Sequence, residues 1–486
     1  MRFHKHLALT LAMTLALTLL TGCGASLSSD GGKNEVRGAP SSEVSSSSAA
    51  ADAPDVSTEP SETVASSTNE VQQPAQRWDQ FHISTNFAFG GSGNRAMYDK
   101  VIRQTKEAYF TTIEITNVDV ADPSPEGPAA DGVRAVIRTA LDVCRQYDMS
   151  AIVADPYLGG AIDYYREIGK THVQQTLNAY QDYEDVLLGY ILWDEPKIPQ
   201  FSLIKQRIGW VREIDPDVRL YLNLLPSYND TYTWKKNAFQ EYVSTFTFDV
   251  DPEMLSVDYY VFGDRTDCNP NVLSADQGLW RDMGLFRMLA LETGKPFEFY
   301  IQGVGDFSAS KDIGNMTAER IAFQMYAALA YGVKRVSYFT SYGLLLDANG
   351  DKTHMYDSVK AINEEALQVG RFLYDKTSVA LYHSGAGQLQ KVQDQMYLDN
   401  LAESDLLSAI PSETIVSVFE DEAGGRYLMV ANKDYNNAAV GRLVFKKAVS
   451  LRRYQALEDS LAASTGALTE LAVEIPAGGY LLYRVD

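Results

Sequence analysis

The feature that most constrains the fold is an alternation of short, apolar, β-rich runs with longer helical patterns, which extends from residue 81 to residue 373. This alternation is typical of repeated βα units that build a parallel sheet. Eight candidate strands can be recognised: Phe81–Phe87, Thr111–Thr116, Ser150–Ala154, Leu187–Trp193, Arg219–Leu224, Leu255–Tyr260, Phe297–Gln302 and Arg335–Thr340. The helical stretches include Val133–Tyr147, Leu203–Ile214, Ala318–Tyr331 and Tyr356–Leu373. Eight such units in about 300 residues predict an α/β fold, a (β/α)8 TIM barrel; a doubly wound sheet, which usually has fewer strands, ranks second.

After Thr377 the pattern changes to short alternating segments separated by turn signals. Two of these signals are Gly424-Gly425 and the run from Pro476 to Gly479. The segments are Val379–Tyr382, Ile415–Phe419, Tyr427–Val430, Arg442–Phe445 and Tyr480–Arg484. Period-two alternation bounded by glycine and proline predicts a small all-β sandwich domain. We expect this domain to serve for packing; it could bind sugar, although nothing in its residues marks a site.

The first residues form a targeting segment. A basic stretch, Met1–His6, precedes an apolar run from Leu7 to Leu20, which is too short to span a bilayer comfortably and has the length of a signal-peptide core. The four residues that follow, Leu-Thr-Gly-Cys ending at Cys23, resemble the cleavage box of bacterial lipoproteins. The resemblance implies that residues 1–22 are removed and that Cys23 is lipidated, which would anchor the protein to the extracytoplasmic face of the cell membrane. A free or disulfide-bonded Cys23 is the alternative.

Residues 24–76 contain serine, alanine, proline, threonine and acids without a single aromatic residue. Such a composition cannot bury enough apolar surface to fold. We therefore predict a tether over residues 23–76, with a root-mean-square span of about 40 Å. The barrel is then predicted over residues 77–375 and the β-sandwich over residues 376–486.

Composition excludes several classes of function. Lysine and arginine total 42 against 64 acidic residues, a net charge of −22, so a nucleic acid is not an expected partner. His82, His172, His354 and His383 are isolated from one another, and we predict neither a metal site nor a cofactor. Cys144 and Cys268 are interpreted as ordinary thiols, although an exported protein could pair them.

The fourth predicted strand ends in the sequence LLGYILWDEP. Almost all residues from Val186 to Trp193 are apolar, as expected of a parallel strand that is buried on both faces. Asp194 and Glu195 close the strand, and the carboxyl ends of barrel strands carry the chemistry. Glu195 is therefore the first candidate for a catalytic residue. The alternative is that both acids serve only to cap the following helix, where acids are favoured.

Several segments together resemble a known group of enzymes. They are GYILWDEP, IDPDVRLYLNLLPSY, SVDYY, AYGVKRVSYFTSYG and YDSVKAINEEALQVG, which cover most of residues 186–370. The barrel resembles the clan A glycoside hydrolases and, more closely, bacterial relatives of the family 42 β-galactosidases. The resemblance implies that Glu195 is the acid/base and that Asp194 replaces the asparagine that contacts the sugar 2-hydroxyl. It also implies a carbohydrate substrate.

The seventh predicted strand departs from the family pattern. The family has a nucleophilic glutamate at the carboxyl end of this strand, whereas this chain has PFEFYIQG with Gln302 in that place. Glu298 lies four residues earlier, about 13 Å lower in the barrel. An amide cannot act as the nucleophile, so retaining chemistry by that route is not expected.

Other strand ends supply further candidates. The acids there are Asp155, Asp258 and, less well placed, Glu114. Asp258 is followed by two tyrosines and is the candidate for the second catalytic acid; the alternative is a buried acid satisfied by hydrogen bonds. The predicted substrate contacts are Asp194, Trp193, Asn223, Asp155, Tyr260, Gln302 and Tyr338. Each aromatic ring, taken alone, is more often core packing than a sugar subsite.

These observations predict a lipoprotein that hydrolyses a glycosidic bond, in which Glu195 protonates the leaving oxygen and a second acid activates water. Neighbouring strands are about 4.8 Å apart, so Asp258, two strands from Glu195, would lie near 10 Å from it laterally. That separation leaves room for a water molecule and predicts inversion at the anomeric carbon. The alternative is a carbohydrate-binding lipoprotein without catalytic activity.

Overall fold

The computed structural model of the chain describes residues 79–87, 94–116, 118, 128–159, 169–228, 238–262, 275–303, 316–385 and 397–486. The chain divides into two units, Met1–Asn69 and Glu70–Asp486. The predicted signal peptide, Cys23, the tether and Cys268 lie outside the described residues.

A parallel, eight-stranded sheet forms a nearly closed barrel. Its strands are β1 (His82–Phe87), β2 (Thr112–Ile115), β3 (Ser150–Val153), β4 (Leu187–Asp194), β5 (Leu220–Asn223), β6 (Leu255–Asp258), β7 (Phe297–Gln302) and β8 (Arg335–Phe339). From β1 to β5 and from β6 to β8 each strand pairs with its neighbour in sequence, and β8 pairs with β1. Between β5 and β6 the barrel closes through an isolated bridge from Leu224 to Val257, beside a hydrogen bond from the Leu224 amide to the Ser256 carbonyl at 2.9 Å.

A helix follows every strand. The helices in the described residues are α1 (Arg95–Glu107), α2 (Pro128–Gln146), α3 (Lys170–Tyr180), α4 (Phe201–Ile214), α5 (Ala238–Thr245), α6 (Ala275–Thr293), α7 (Ala318–Ala330) and α8 (Tyr356–Leu373). Asn94 begins α1 by accepting hydrogen bonds from the amides of Ala96 and Met97, and Thr317 accepts one from the amide of Arg320 at the start of α7. Such side-chain caps satisfy backbone donors that the first turn leaves unpaired.

The last helix lies unusually close to the first strand of the barrel. A Cβ atom at Gly370 of α8 would come within 2.1 Å of the Phe81 ring, so a larger residue would push the helix away. Phe81 is fully buried at this contact. The glycine therefore allows α8 to close the ring of helices directly over the start of β1.

The C-terminal part of the chain forms two antiparallel sheets. Its strands are β9 (Thr377–His383), β10 (Leu407–Ala409), β11 (Thr414–Glu420), β12 (Arg426–Asn432), β13 (Ala439–Val449), β14 (Leu451–Gln455), β15 (Ser460–Leu461), β16 (Leu468–Ile475) and β17 (Tyr480–Val485). Three strands form one sheet in the order β10-β13-β16. Six form the other in the order β15-β14-β17-β12-β11-β9.

The larger sheet is buried on both faces. Val416 and Val430 on one face share a core with Leu443 of the smaller sheet, while Ile415 and Met429 on the other face belong to the main core of the barrel. This alternation along β11 and β12 follows from the period of two in a strand. The prediction of a (β/α)8 barrel followed by an all-β domain is confirmed.

Within the described ranges, no helix combines the length and the hydrophobicity needed to cross a membrane. Cys144 lies in the core between α2 and the barrel as a free thiol, and burial raises its pKa to about 12. A thiol that stays protonated is a poor nucleophile, so the interpretation of Cys144 as an ordinary core residue fits its surroundings.

Candidate active site

A β-bulge near the end of β4 decides which of its last residues face the barrel interior. Ile191 and Trp193 pair with consecutive residues of β5, so one residue is inserted between them. Because side chains alternate between the faces of a strand, the insertion exchanges the faces of all residues beyond it. Asp194 therefore faces the barrel mouth, opposite Asn223 of β5.

Trp193 faces the opposite way, towards the surrounding helices. It is only 6% exposed, and the guanidinium of Arg207 on α4 lies 5.3 Å from the centre of its ring. The expectation that Trp193 stacks against a sugar is therefore wrong. The alternative, that the ring belongs to core packing, fits these surroundings.

Glu195 sits immediately after β4 in a left-handed backbone conformation, with φ at 48°. This conformation is uncommon for a residue other than glycine, and such strained residues concentrate at functional sites. Two hydrogen bonds hold the segment in place: the Glu195 amide donates to the Asn223 carbonyl at 2.9 Å, and the Tyr242 hydroxyl donates to the Pro196 carbonyl at 2.7 Å. The surrounding structure therefore fixes Glu195 at the barrel mouth.

Asn223 connects two of the acids at the mouth. Its side-chain amide nitrogen donates to the Asp258 carboxylate at 2.8 Å and, more weakly, to the Asp194 carboxylate at 3.4 Å. Its oxygen accepts a hydrogen bond from the Ser256 hydroxyl at 3.0 Å, which fixes the orientation of the amide. We predicted Asn223 as a direct partner of substrate hydroxyls, but the structure commits its amide hydrogens to neighbouring acids. Its role is therefore to hold and orient those acids.

The three acids at the mouth all have raised pKa values. Burial, followed by the charges of Asp258 and Asp194, raises the pKa of Glu195 well above its usual range. Burial and then the charge of Asp194 raise the pKa of Asp258 to about 7. Burial raises the pKa of Asp194 to about 6, although its side chain is open to solvent at the mouth, which limits the effect of burial on its charge. Three neighbouring carboxylates cannot all ionise easily.

The hydrogen bonds around these acids are distributed unequally. Asp258 accepts hydrogen bonds from Asn223 and from the Tyr260 hydroxyl, and both lower its pKa against the effect of burial. In the described part of the chain, no side chain donates a hydrogen bond to the Glu195 carboxyl; the charge of Lys197 alone opposes the rise of its pKa. This difference favours the ionised form of Asp258 and the protonated form of Glu195.

Three other predicted contacts lie outside this group: Asp155, Tyr338 and Gln302. Asp155 is buried, and its two carboxylate oxygens accept hydrogen bonds from the Tyr157 amide at 2.7 Å and the Tyr180 hydroxyl at 2.6 Å. Tyr338 is fully buried on the outer face of β8, where its hydroxyl donates to Asn363 of α8 at 2.7 Å. The structure therefore gives Asp155 and Tyr338 structural partners in place of the expected access to a ligand.

Gln302 occupies the end of β7, as the sequence predicts, but its side chain is fully buried. Its amide oxygen accepts a hydrogen bond from the Phe262 amide at 2.7 Å, and its amide nitrogen donates to the Phe262 carbonyl. The side chain thus ties the end of β7 to the segment that follows β6. A substrate contact through Gln302 would require these hydrogen bonds to break.

Glu114 and Glu298 lie deeper in the barrel and share one counter-ion. Glu114 accepts hydrogen bonds from Arg335 at 2.6 Å, the Ser337 hydroxyl at 2.6 Å and the Tyr300 hydroxyl at 3.0 Å. Glu298 lies 2.8 Å from the same guanidinium. Arg335 thus pairs with both acids within the barrel, including Glu114, the less well placed of the predicted candidates at strand ends.

An aromatic pair at the mouth includes a residue that the sequence did not single out. The rings of Tyr260 and Phe339 stack with centres 5.5 Å apart, and both are partly exposed. Phe339 is on the same side of β8 as the inward-facing Arg335 and Ser337. The alternation of side chains along a strand has a period of two, which is visible in the sequence. It would have favoured Phe339 over Tyr338 as the substrate contact on β8.

Among the described residues, no group of three histidine, cysteine, aspartate or glutamate side chains is arranged to hold a metal ion. The mouth therefore offers carboxylates, an amide, a phenol and an aromatic pair. With these groups the site can transfer protons and bind a polar ligand that has apolar faces.

No protein-family model matches the chain, and no curated protein is similar in sequence. Solved structures do match its fold. A glycoside hydrolase family 5 protein from Bacteroides vulgatus is 10% identical, with 83% of this chain and 88% of that chain covered and a TM-score of 0.50. A family 5 mannosidase from Rhizomucor miehei is 12% identical, with 61% and 95% covered and a TM-score of 0.40. A β-galactosidase from Halorubrum lacusprofundi is 12% identical, with 59% and 58% covered and a TM-score of 0.44. At this identity the first match shows a shared barrel fold, and the function has to be inferred from the site.

Proposed function

We propose that the protein is a glycoside hydrolase in which Glu195 is the general acid and Asp258 is the general base. The observation that carries the proposal is the unequal distribution of hydrogen bonds between these two neighbouring acids, because it favours a protonated Glu195 beside an ionised Asp258. Pairs of acids whose surroundings separate their pKa values are typical of acid/base catalysis. We also propose that the chain is related to clan A and, within it, to the family 42 β-galactosidases, as the sequence resemblance implies.

The proposed reaction is a direct displacement by water. The Glu195 carboxyl gives its proton to the glycosidic oxygen as the bond between that oxygen and the anomeric carbon breaks. A water oxygen bonds to the anomeric carbon, and its proton passes to the Asp258 carboxylate. The product sugar then has the inverted configuration, and one proton must return from Asp258 to Glu195 through solvent before the next turnover.

Inversion is preferred because a suitable nucleophile is missing from the end of β7. Gln302 occupies that place and is bound to the Phe262 backbone. Glu195 and Asp258 stand two strands apart, on β4 and β6, a lateral spacing of roughly 10 Å before the side chains lean inwards. Inverting pairs are typically about 6.5 to 9.5 Å apart, which leaves room for the attacking water.

The other residues of the mouth suit a sugar ring. The exposed Asp194 can accept hydrogen bonds from sugar hydroxyls, and the stacked Tyr260 and Phe339 offer an apolar surface for the C–H face of a ring. We therefore assign these three residues to substrate binding and Asn223 to the positioning of Asp258 and Asp194.

The test compares two kinds of substrate in the Glu195→Gln variant. A general acid usually contributes 100-fold or more, and a good leaving group needs little protonation. Turnover of disaccharides should therefore fall at least 100-fold, whereas turnover of the matching 4-nitrophenyl glycosides should fall much less. Glu184→Gln, an exposed substitution in the turn before β4, is the matched control and should leave both rates unchanged. An equal loss on both kinds of substrate, or no loss on either, would remove Glu195 from this role.

A second function is favoured by one observation, the fixed amide of Gln302 where clan A enzymes have their nucleophile. A barrel that has lost catalysis could serve as a carbohydrate-binding protein. Calorimetry would distinguish the two functions: oligosaccharide binding that is unchanged in Glu195→Gln, together with no turnover by the wild-type protein, would favour binding alone.

We further propose that the protein is anchored to the extracytoplasmic face of the membrane through a lipidated Cys23. The proposal rests on the sequence from Met1 to Cys23. Two or three acyl chains give stable anchoring that an acidic chain cannot replace. Cys23→Ala should therefore release the protein from the membrane fraction, and a variant that still sediments with membranes would contradict the lipoprotein assignment.

A further inference from the structure

A cavity lies at the opposite end of the barrel from Glu195 and Asp258. Its volume is about 490 Å³, and residues that precede or begin β1, β7, β8 and β9 line it together with the end of α6. Small-molecule sites typically measure roughly 300 to 1,000 Å³. The cavity is therefore large enough for a small organic ligand and too small for a folded partner.

The charge of this cavity is opposite to that of the protein. Among its described lining residues, two are acidic, Asp79 and Glu298. Six are basic: Arg219, Arg287, Lys295, Lys334, Arg335 and Lys376. The whole chain, in contrast, has 42 basic and 64 acidic residues. A concave surface that concentrates positive charge attracts anions, even on an acidic protein.

Not all of these charges are available to a ligand. Arg335 is held by Glu114 and Glu298 inside the barrel. Lys295 and Lys376 pair with the carboxylates of Asp251 and Asp375, but these two carboxylates are 73% and 72% exposed. The two lysines themselves are only 18% and 8% exposed, so solvent screens the charge of each pair mainly at its carboxylate. Both lysines can therefore still contribute positive potential to the cavity.

Lys334 lacks a carboxylate partner. Its ammonium donates to two backbone carbonyls, those of Leu373 at 3.0 Å and Lys376 at 2.7 Å. Within the described residues, no carboxylate lies within ion-pair distance of this ammonium group. Burial lowers its pKa to about 8; the charge of Asp375 opposes this shift and the charge of Lys376 adds to it. The two carbonyls explain the lysine in part as a cap of α8, but they leave its third donor unused, and the Asp375 carboxylate that acts on its charge is paired with Lys376 instead.

Apolar groups complete the wall of the cavity. Leu291, Phe297 and Tyr374 line it, and the Lys334 ammonium lies 5.8 Å from the centre of the Tyr374 ring. The cavity thus places an ammonium group beside an apolar surface. This arrangement suits a molecule with an apolar body and one negatively charged oxygen-bearing group.

We propose that this basal cavity binds a small organic anion, with a phosphate or carboxylate group at Lys334 and an apolar body against Leu291 and Tyr374. The site is separate from the proposed active site, and it does not depend on whether the protein hydrolyses glycosides. The ligand is expected to be an anion because the basic residues of the cavity outnumber the acidic ones, and to be partly apolar because Leu291, Phe297 and Tyr374 line the wall.

The experiment is calorimetric titration of the full-length protein at low ionic strength with three related probes: phenyl phosphate, benzoate and uncharged benzyl alcohol. We expect one molecule of phenyl phosphate or benzoate to bind per chain, and benzyl alcohol to bind at least tenfold more weakly. The tighter of the two anions identifies the charged group that the site prefers. No binding of either anion at millimolar concentration, or equal binding of benzyl alcohol, would overturn the proposal.

Single substitutions test whether the anion binds in this cavity. Lys334→Met should weaken binding of the tighter anion at least tenfold, whereas Lys447→Met, which removes an exposed lysine on β13, should leave it unchanged. Leu291 is 43% exposed at the cavity wall, so Leu291→Gln and Leu291→Glu should both fold and differ by one charge. Leu291→Glu should bind the anion several-fold more weakly than Leu291→Gln. The proposal fails if Leu291→Gln and Leu291→Glu bind the anion equally well. It also fails if Lys334→Met folds and binds the anion as tightly as the wild-type protein, because the anion then binds elsewhere.

Discussion

The barrel contains two groups of acids that differ in their partners: one group is paired with a cation and the other is not. In the interior, Glu114 and Glu298 share the guanidinium of Arg335, and Glu114 accepts two more hydrogen bonds from hydroxyl groups. At the mouth, Asp194, Glu195 and Asp258 form no ion pair with any described residue; an amide and a phenol are their main partners. The difference separates acids that a buried cation holds within the barrel from acids without such a cation, whose pKa values are raised by burial and by the neighbouring acids.

The largest effect is expected when the interior group loses its cation. Arg335→Met leaves Glu114 and Glu298 buried without a counter-ion, and breaking such a buried group typically costs about 3–5 kcal/mol. The free energy of unfolding, measured by urea denaturation at pH 7, should fall by that amount. Arg371→Met makes the same chemical change at an exposed position of α8 and should alter it by about 0.5 kcal/mol or less. A loss below about 1 kcal/mol for Arg335→Met would show that the interior acids do not depend on this cation.

The next largest effect concerns the proposed base at the mouth. Asp258→Asn removes the group that receives the proton from water, so turnover should fall 100-fold or more. Asp249→Asn, at an exposed position of the short π-helix Phe246–Val250, is the control for the loss of one acid. NMR of the first product formed by the wild-type enzyme should show inversion at the anomeric carbon. A product of retained configuration would contradict the assignment of Asp258 and require a nucleophile elsewhere or a neighbouring group on the substrate.

The ionisation of Asp258 at the mouth should also change the stability of the protein with pH. The pKa of Asp258 is raised from 3.8 to about 7 in the folded protein, so its contribution to stability is fully present below pH 4 and is lost as the pH rises through about 7. Asp258→Asn removes the ionisable group and, with it, this loss of stability at high pH. At pH 8 the variant should therefore be more stable than the wild-type protein by on the order of 1 kcal/mol or more, and at pH 4 the difference should be small. Urea denaturation at the two pH values measures this; a variant that is less stable at pH 8 would place Asp258 with the interior acids.

The sequence predicts the positions of these acids better than their surroundings. Strand ends follow from local hydrophobicity and turn residues, so the predicted β7 matches the observed Phe297–Gln302 and the acids fall at the ends of β4 and β6. The direction of Trp193 depends on a bulge that local periodicity does not reveal. The partner of Asp155 lies 25 residues away on α3, and such a contact exists only in the folded chain. Arg335 is separated by more than 200 residues from Glu114, so the neutralisation of the interior acids could not be read from either segment alone.

The smallest expected effect tests whether Asn223 positions the acids at the mouth. Its amide lowers the pKa of Asp258, so Asn223→Ala should raise that pKa further and move the acid limb of the pH profile of kcat/KM upwards by about one pH unit, since a hydrogen bond to a charged group contributes about 1.5–3 kcal/mol. Ser256→Ala removes only the hydroxyl that orients the Asn223 amide and should produce a smaller shift in the same direction. Activity of Asn223→Ala should recover towards the wild-type value only above about pH 8, one unit above the pKa of about 7 in the wild-type protein, because Asp258 then ionises without the Asn223 amide. A uniform loss of activity at every pH would instead mean that Asn223 contacts the substrate, because a lost substrate contact weakens binding without altering the ionisation of Asp258.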